Sequence, residues 1–174
     1  MNFIWASERE PELNEGLWQW ASKQIFKDLR GFGPCTTMGV FDGPKLVAVM
    51  VYHAFDRAAG VCEMSGAALT PRWLTRKVLK EMFAYPFEQL GCQTVAMRVS
   101  AKDNRLLRIL TEYGFLCYTL PRLRGRQEDE NVFLLTDDKW RNNKFHQKVI
   151  GNGEKRQRAE SSGSSRDGSS LDLH

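Results

Sequence analysis

The sequence is poor in cysteine. Cys35, Cys62, Cys92 and Cys117 stand far apart with no Cys-x-x-Cys pair, which argues against a zinc site. Three of them sit in apolar runs and read as small core residues, reduced, as in a cytoplasmic protein. Charge of one sign is also scarce. The formal net charge is +4, and residues 151 to 174 set Lys155, Arg156, Arg158 and Arg166 against Glu154, Glu160, Asp167 and Asp172. The surplus therefore sits on the remainder. It is too small to mark a nucleic-acid binder, and it suits any anionic ligand, a phosphorylated cofactor included. The longest apolar run, around residues 46 to 55, is too short to span a bilayer. The N-terminus lacks the basic start and apolar block of a signal peptide. A cytoplasmic chain without a membrane partner or a metal is expected. No Gly-x-x-x-x-Gly-Lys-Ser/Thr pattern occurs, so a nucleotide P-loop is excluded.

What is present suffices to bury one core, in one domain over residues 1 to 150. After Gly151 the chain is Ser, Gly and charge, and residues 151 to 174 are expected to be disordered. Ser7 to Glu10 resembles a capping box and Pro11 suits a first helical turn. Leu13, Leu17, Trp20, Ala21 and Ile25 recur at helical spacing, and Trp5, Trp18 and Trp20 suit helix packing. Strands are expected over 36–41, 46–55 and 61–69, with Asp42-Gly43 as a hairpin turn. A helix over 75–90 meets Pro86, which kinks it or opens its final turn. A strand follows over 93–100, then a helix capped at Asp103 or Asn104 and ended by Gly114. Two more strands, over 115–121 and 131–136, flank a polar connection. The order predicts an α+β or mixed α/β architecture around one central sheet. The crossover between residues 61 and 99 allows one parallel pair.

Arg72, Arg76, Lys77 and Lys80 surround the start of the helix over 75–90. A helix N-terminus disfavours cations. Two readings stand: an anion held by backbone N–H groups and these side chains, or a solvated helix face.

Several stretches together resemble the GNAT superfamily of acetyl-CoA-dependent N-acetyltransferases. Leu69-Thr70-Pro71-Arg72-Trp73 is similar to the end of that family's fourth strand and its entry to the pyrophosphate loop. Phe83 to Gly91 is similar to the end of its third helix. Val99 to Arg105, followed by Tyr113-Gly114-Phe115, is similar to its next strand and helix. Pro71 to Arg76 with Tyr85-Pro86-Phe87 is similar to a subgroup found in bacteriophages and prophages, which would place the chain in a host cytoplasm. The resemblance covers residues 1 to 140 and implies a mostly antiparallel twisted sheet with one parallel, splayed pair, flanked by helices. The sequence departs from the family at two points. No glycine lies between Leu69 and Leu90, where the family's loop uses glycines to bring amides close to the pyrophosphate. The family's usual tyrosine acid falls on Leu110, so that acid is absent or another residue, such as Tyr113 or Tyr118, supplies it.

The resemblance implies acetyl-CoA as co-substrate, held by Ala68, Leu69, Arg72, Trp73, Leu74, Thr75, Arg76, Lys77, Asp103 and Asn104. It implies direct transfer to a primary amine on a small molecule or protein. A lysine-like amine, with a pKa near 10.4, is protonated at neutral pH and needs a base. Glu63 is the candidate, at an offset where some family members place a catalytic glutamate; a structural Glu63 is the alternative. Ser65 has the same strand parity, and His53 is a further candidate base. An amide near Ala67 to Leu69 would serve as oxyanion donor, with Gly66 marking a bulge that frees it. Arg122, Arg124 and Arg126, before Glu128, Asp129 and Glu130, read as a self-neutralising hairpin or as a grip on an acidic substrate or nucleic acid. Two other readings remain open: a non-catalytic GNAT-fold phage structural or assembly protein, and an acyltransferase acting on a nucleic-acid base.

Overall fold

The computed structural model describes residues 1–26 and 29–145; the tail expected at 151–174 lies outside them. Seven strands form one sheet: β1 (Asn2–Ala6), β2 (Cys35–Asp42), β3 (Lys45–Asp56), β4 (Val61–Ala68), β5 (Thr94–Ser100), β6 (Leu116–Leu120) and β7 (Glu130–Thr136). Their order in space is β1-β2-β3-β4-β5-β7-β6. All neighbours are antiparallel except β4 and β5. The sheet is thus mostly antiparallel with one parallel pair, as expected. Strand β1 adds an edge that the sequence reading lacks. Its five residues are too few to show a period, and Trp5 belongs to it rather than to a helix. The Trp5 ring lies 5.6 Å from Tyr52 and 4.8 Å from Tyr85.

Helix α1 (Pro11–Ile25) starts directly after the expected box, three residues later than a Ser7 cap would place it. Ser7 Oγ accepts from the Arg9 N–H and donates to Glu10 Oε2, so the pair closes a turn before the helix instead of capping it. Pro11 then supplies the first helical position, where a missing N–H costs nothing. Helix α2 (Arg76–Ala84) passes into a π-turn over Tyr85–Gln89, because Pro86 carries no N–H to continue the α ladder. Helix α3 (Asn104–Tyr113) is capped by Asp103, whose Oδ1 accepts from the Leu106 N–H at 2.9 Å, and ends on Gly114 at φ +113°. A short α4 (Asp137–Arg141) brings in Trp140.

Strand parity gives the sheet two unlike faces. One carries Met50, Tyr52, Met64, Val95, Val99, Phe133 and Leu135; α2, α3 and Trp140 seal it into the main core. The other carries Val49 and Val51, covered by Leu17 and Ala21 of α1. Past α1 this second face turns polar, with His53, Glu63, Ser65 and Arg98. None of the described helices is long and apolar enough to cross a membrane.

Candidate active site

The parallel pairing of β4 with β5 is brief: Val61↔Thr94, Cys62↔Val95 and Glu63↔Ala96. β4 continues to Ala68 on β3, in unbroken register from His53↔Glu63 to Ala48↔Ala68, so the two strands splay beyond Glu63. Antiparallel amides alternate in direction. The Leu69 N–H donates to Val47 O at 2.9 Å, so those of Ala68 and Gly66 point the other way, into the splay. Both residues are exposed there. The unbroken register also corrects the expected bulge at Gly66. That glycine makes room instead: a Cβ on it would lie 2.2 Å from Met50 Sδ.

The chain leaves β4 through Leu69 and a 3-10 turn over Pro71–Trp73, capped by Thr70, and enters α2 through Thr75. Thr75 Oγ1 accepts the Val78 N–H at 3.3 Å. The first-turn amides of Arg76 and Lys77 then stay outside the helical ladder. Arg72, Leu74, Arg76 and Lys77 are exposed, and Trp73 is half-buried. Lys77 Nζ sits 5.2 Å above the Phe3 ring. Trp73, Leu74 and Arg76 form one wall of a cavity of about 320 Å³. Ile109, Leu110 and Tyr113 of α3 form the other, with Met50 and Met97 as the floor. The cavity beside the end of β4 is lined mostly by apolar side chains. Asp103 is spent on capping α3, and neither it nor Asn104 lines this cavity.

Tyr113 is the one tyrosine that lines this cavity. The Tyr113 hydroxyl accepts from the Trp140 indole, and burial raises its pKa well above the ordinary value. Tyr52 donates to Met82 O at 2.8 Å, and Tyr85 to Thr36 Oγ1 at 3.0 Å. Tyr118 is exposed on the edge strand β6.

On the opposite face lies a cavity of about 670 Å³ lined by His53, Glu63, Ser65, Arg98, Phe32 and Glu130, among others. His53 and Glu63 face each other across β3 and β4. His53 Nε2 is 2.9 Å from Ser65 Oγ, and Nδ1 is 3.7 Å from Glu63 Oε2. The same-face expectation for Glu63 and Ser65 holds. Burial lowers the His53 pKa from the usual 6.5; Glu63 pulls it back and Arg98 adds to the depression. His53 is therefore neutral at pH 7 and can accept a proton. On the sealed face, burial above all pushes the Cys62 thiol up to about 12, so it offers no thiolate.

The reading of single residues missed one cluster. Glu130 is buried, and its Oε2 accepts from Arg98 Nε at 2.9 Å and from a terminal guanidinium nitrogen at 2.6 Å. Its Oε1 accepts from Arg124 at 2.9 Å. The β6–β7 hairpin is thus partly self-neutralising, through Arg124 with Glu128 and Glu130. Its acidic end holds Arg98 in the cavity wall. The alternation of β5, with Arg98 between Met97 and Val99, was the available signal.

No protein-family model matches the sequence, and no curated protein does. Solved structures do match by shape. A chimera of the Vibrio cholerae spermidine N-acetyltransferase SpeG with hSSAT superposes with a TM-score of 0.63 at 12% identity, over 80% of this chain and 99% of that one. The ribosomal-protein-S5-alanine acetyltransferase of Vibrio fischeri superposes with a TM-score of 0.52 at 12% identity, over 61% and 63%. At such low identity the likeness is one of fold. The chain has the GNAT acetyltransferase fold.

Proposed function

We propose that the protein transfers an acetyl group from acetyl-CoA to a primary amine, directly and in a ternary complex. The observation that carries this reading is the end of β4: exposed amides directed into a splay, leading to a cationic helix start beside an open cavity. Arg72, Arg76 and Lys77, with the first amides of α2, hold the pyrophosphate. The Ala68 N–H takes the thioester oxygen as negative charge develops on it. Glu63, directly or through water, takes the amine proton. A C–N bond forms and the C–S bond breaks. The departing thiolate, with a pKa near the ~8.5 of a free thiol, needs no dedicated acid. The missing loop glycines are offset by clustered cations, so Coulomb attraction replaces close backbone approach.

Calorimetry with acetyl-CoA, followed by thiol release across an amine panel, tests the proposal. Binding together with amine-dependent release supports it, and folded protein that binds no acetyl-CoA overturns it. Trp73 over the cavity, in a loop without glycine, favours a second reading: a non-catalytic GNAT-fold scaffold of the phage structural kind. Acetyl-CoA binding without turnover on any amine would select it.

A further inference from the structure

We infer that Ser65 is an activated nucleophile, with His53 as its general base and Glu63 as a positioning residue, giving the protein an activity that cleaves small acyl esters and thioesters without an amine. Three side chains from two adjacent strands supply the parts. Ser65 Oγ is 2.9 Å from His53 Nε2. The other ring nitrogen faces Glu63 Oε2 at 3.7 Å, longer than a hydrogen bond but close enough for the carboxylate to bias the ring's orientation. Nucleophile to base, and base to orienting carboxylate, is the sequence of contacts that makes a hydroxyl reactive, on whatever fold it occurs. Strand parity enforces it here. Glu63 and Ser65 share a face of β4, and His53 stands opposite Glu63 on β3.

Two further features separate this cluster from a buried histidine that has merely found a partner. All three residues line the 670 Å³ cavity, so a substrate can reach the hydroxyl. The residue after the nucleophile, Gly66, directs its N–H into the splay, where β5 has ceased to pair. That places an oxyanion donor one residue from the attacking oxygen. The Phe32 ring packs 5.1 Å from the His53 ring.

The step balances without any co-reactant beyond water. Ser65 Oγ bonds to the acyl carbon as its proton passes to His53 Nε2. The bond to the leaving alcohol or thiol breaks, and that group takes the proton back from His53. Water, deprotonated by the same nitrogen, then attacks the acyl carbon; the bond to Ser65 Oγ breaks, Oγ takes the proton back from His53, and the acid leaves. Nothing here requires acetyl-CoA to bind, so the inference stands apart from the amine acetylation proposed above.

A fluorophosphonate tests it, because the serine–phosphorus bond formed as fluoride leaves is stable. Labelled peptides would be mapped by mass spectrometry after incubation of native and urea-unfolded protein. Labelling at Ser65 in the native chain alone is expected, slowed by roughly 10²-fold in His53→Gln, the usual contribution of a general base. Native protein with cooperative unfolding but no label at Ser65 overturns the inference. Equal labelling of native and unfolded chains also does, which keeps the test decisive if the variant fails to fold. A Ser65 label in protein that binds no acetyl-CoA would uphold this inference while removing the acetylation reading.

Discussion

Glu130 carries a charge that water barely reaches, and two arginines answer it. Glu130→Gln keeps the shape but removes the charge from three hydrogen bonds, at a cost of about 2 kcal/mol, since Arg98 is half exposed and recovers some hydration. Urea unfolding measures this, and an unchanged midpoint would dismiss the cluster as a structural clamp. His53 sets a pH dependence. Its pKa is depressed below 6.5 in the folded chain, so the unfolded chain binds more protons as pH falls through 6.5. Stability therefore rises with pH in the window from the depressed value up to about 6.5, and is fully present above it. Midpoints of thermal unfolding at pH 5, 6 and 7 should climb in that order, with His53→Gln flattening the climb. Glu63 and Ser65 could be placed on one face from their spacing alone. Their meeting with His53 could not, because it depends on the register of a hairpin partner ten residues away from Glu63.

At the scale of the element, β4 is held down by what Gly66 lacks. Gly66→Ala brings a Cβ against Met50 Sδ, and because that flexible side chain borders the cavity the cost falls at the low end of overpacking, about 1 kcal/mol. In a Met50→Ala background, itself costly because Met50 is buried, Gly66→Ala should cost less than it does alone, a coupling that a double-mutant cycle of unfolding free energies reads directly. The start of α2 makes separate claims. Thr75→Ala removes its cap and should cost ~1 kcal/mol of stability. Arg76→Glu should weaken acetyl-CoA binding about tenfold, equal to ~1.4 kcal/mol, with little effect on unfolding. Unchanged affinity in that variant would free the cationic start from the proposed site. Helices α1, α2 and α3 were legible because apolar period, Pro and Gly agree within each. The 3-10 turn at Pro71–Trp73 was not, since it depends on where β4 stops.

For the whole molecule, the order of elements predicted one sheet with a parallel crossover pair, and the pair is β4 with β5. Two things escaped. Strand β1 owes its place to pairing with β2, from Asn2↔Phe41 to Ala6↔Thr37, a contact between distant segments that five residues cannot announce. The Gly66 bulge was read from the glycine alone, whereas the reason for that glycine sits on β3. Both failures are of one kind: the cause lies across the sheet. The sheet also divides the molecule into a dry side, under α2 and α3, and a wet side lined by His53, Glu63 and Arg98. The splay beyond Glu63 lies in the sheet between them. If donor and acceptor occupy these two chambers, each has its own doorway and neither bars the other's way. Steady-state kinetics would then show random order of addition, and a molecule tethering both halves would have to thread that slot like a bolt through a plate.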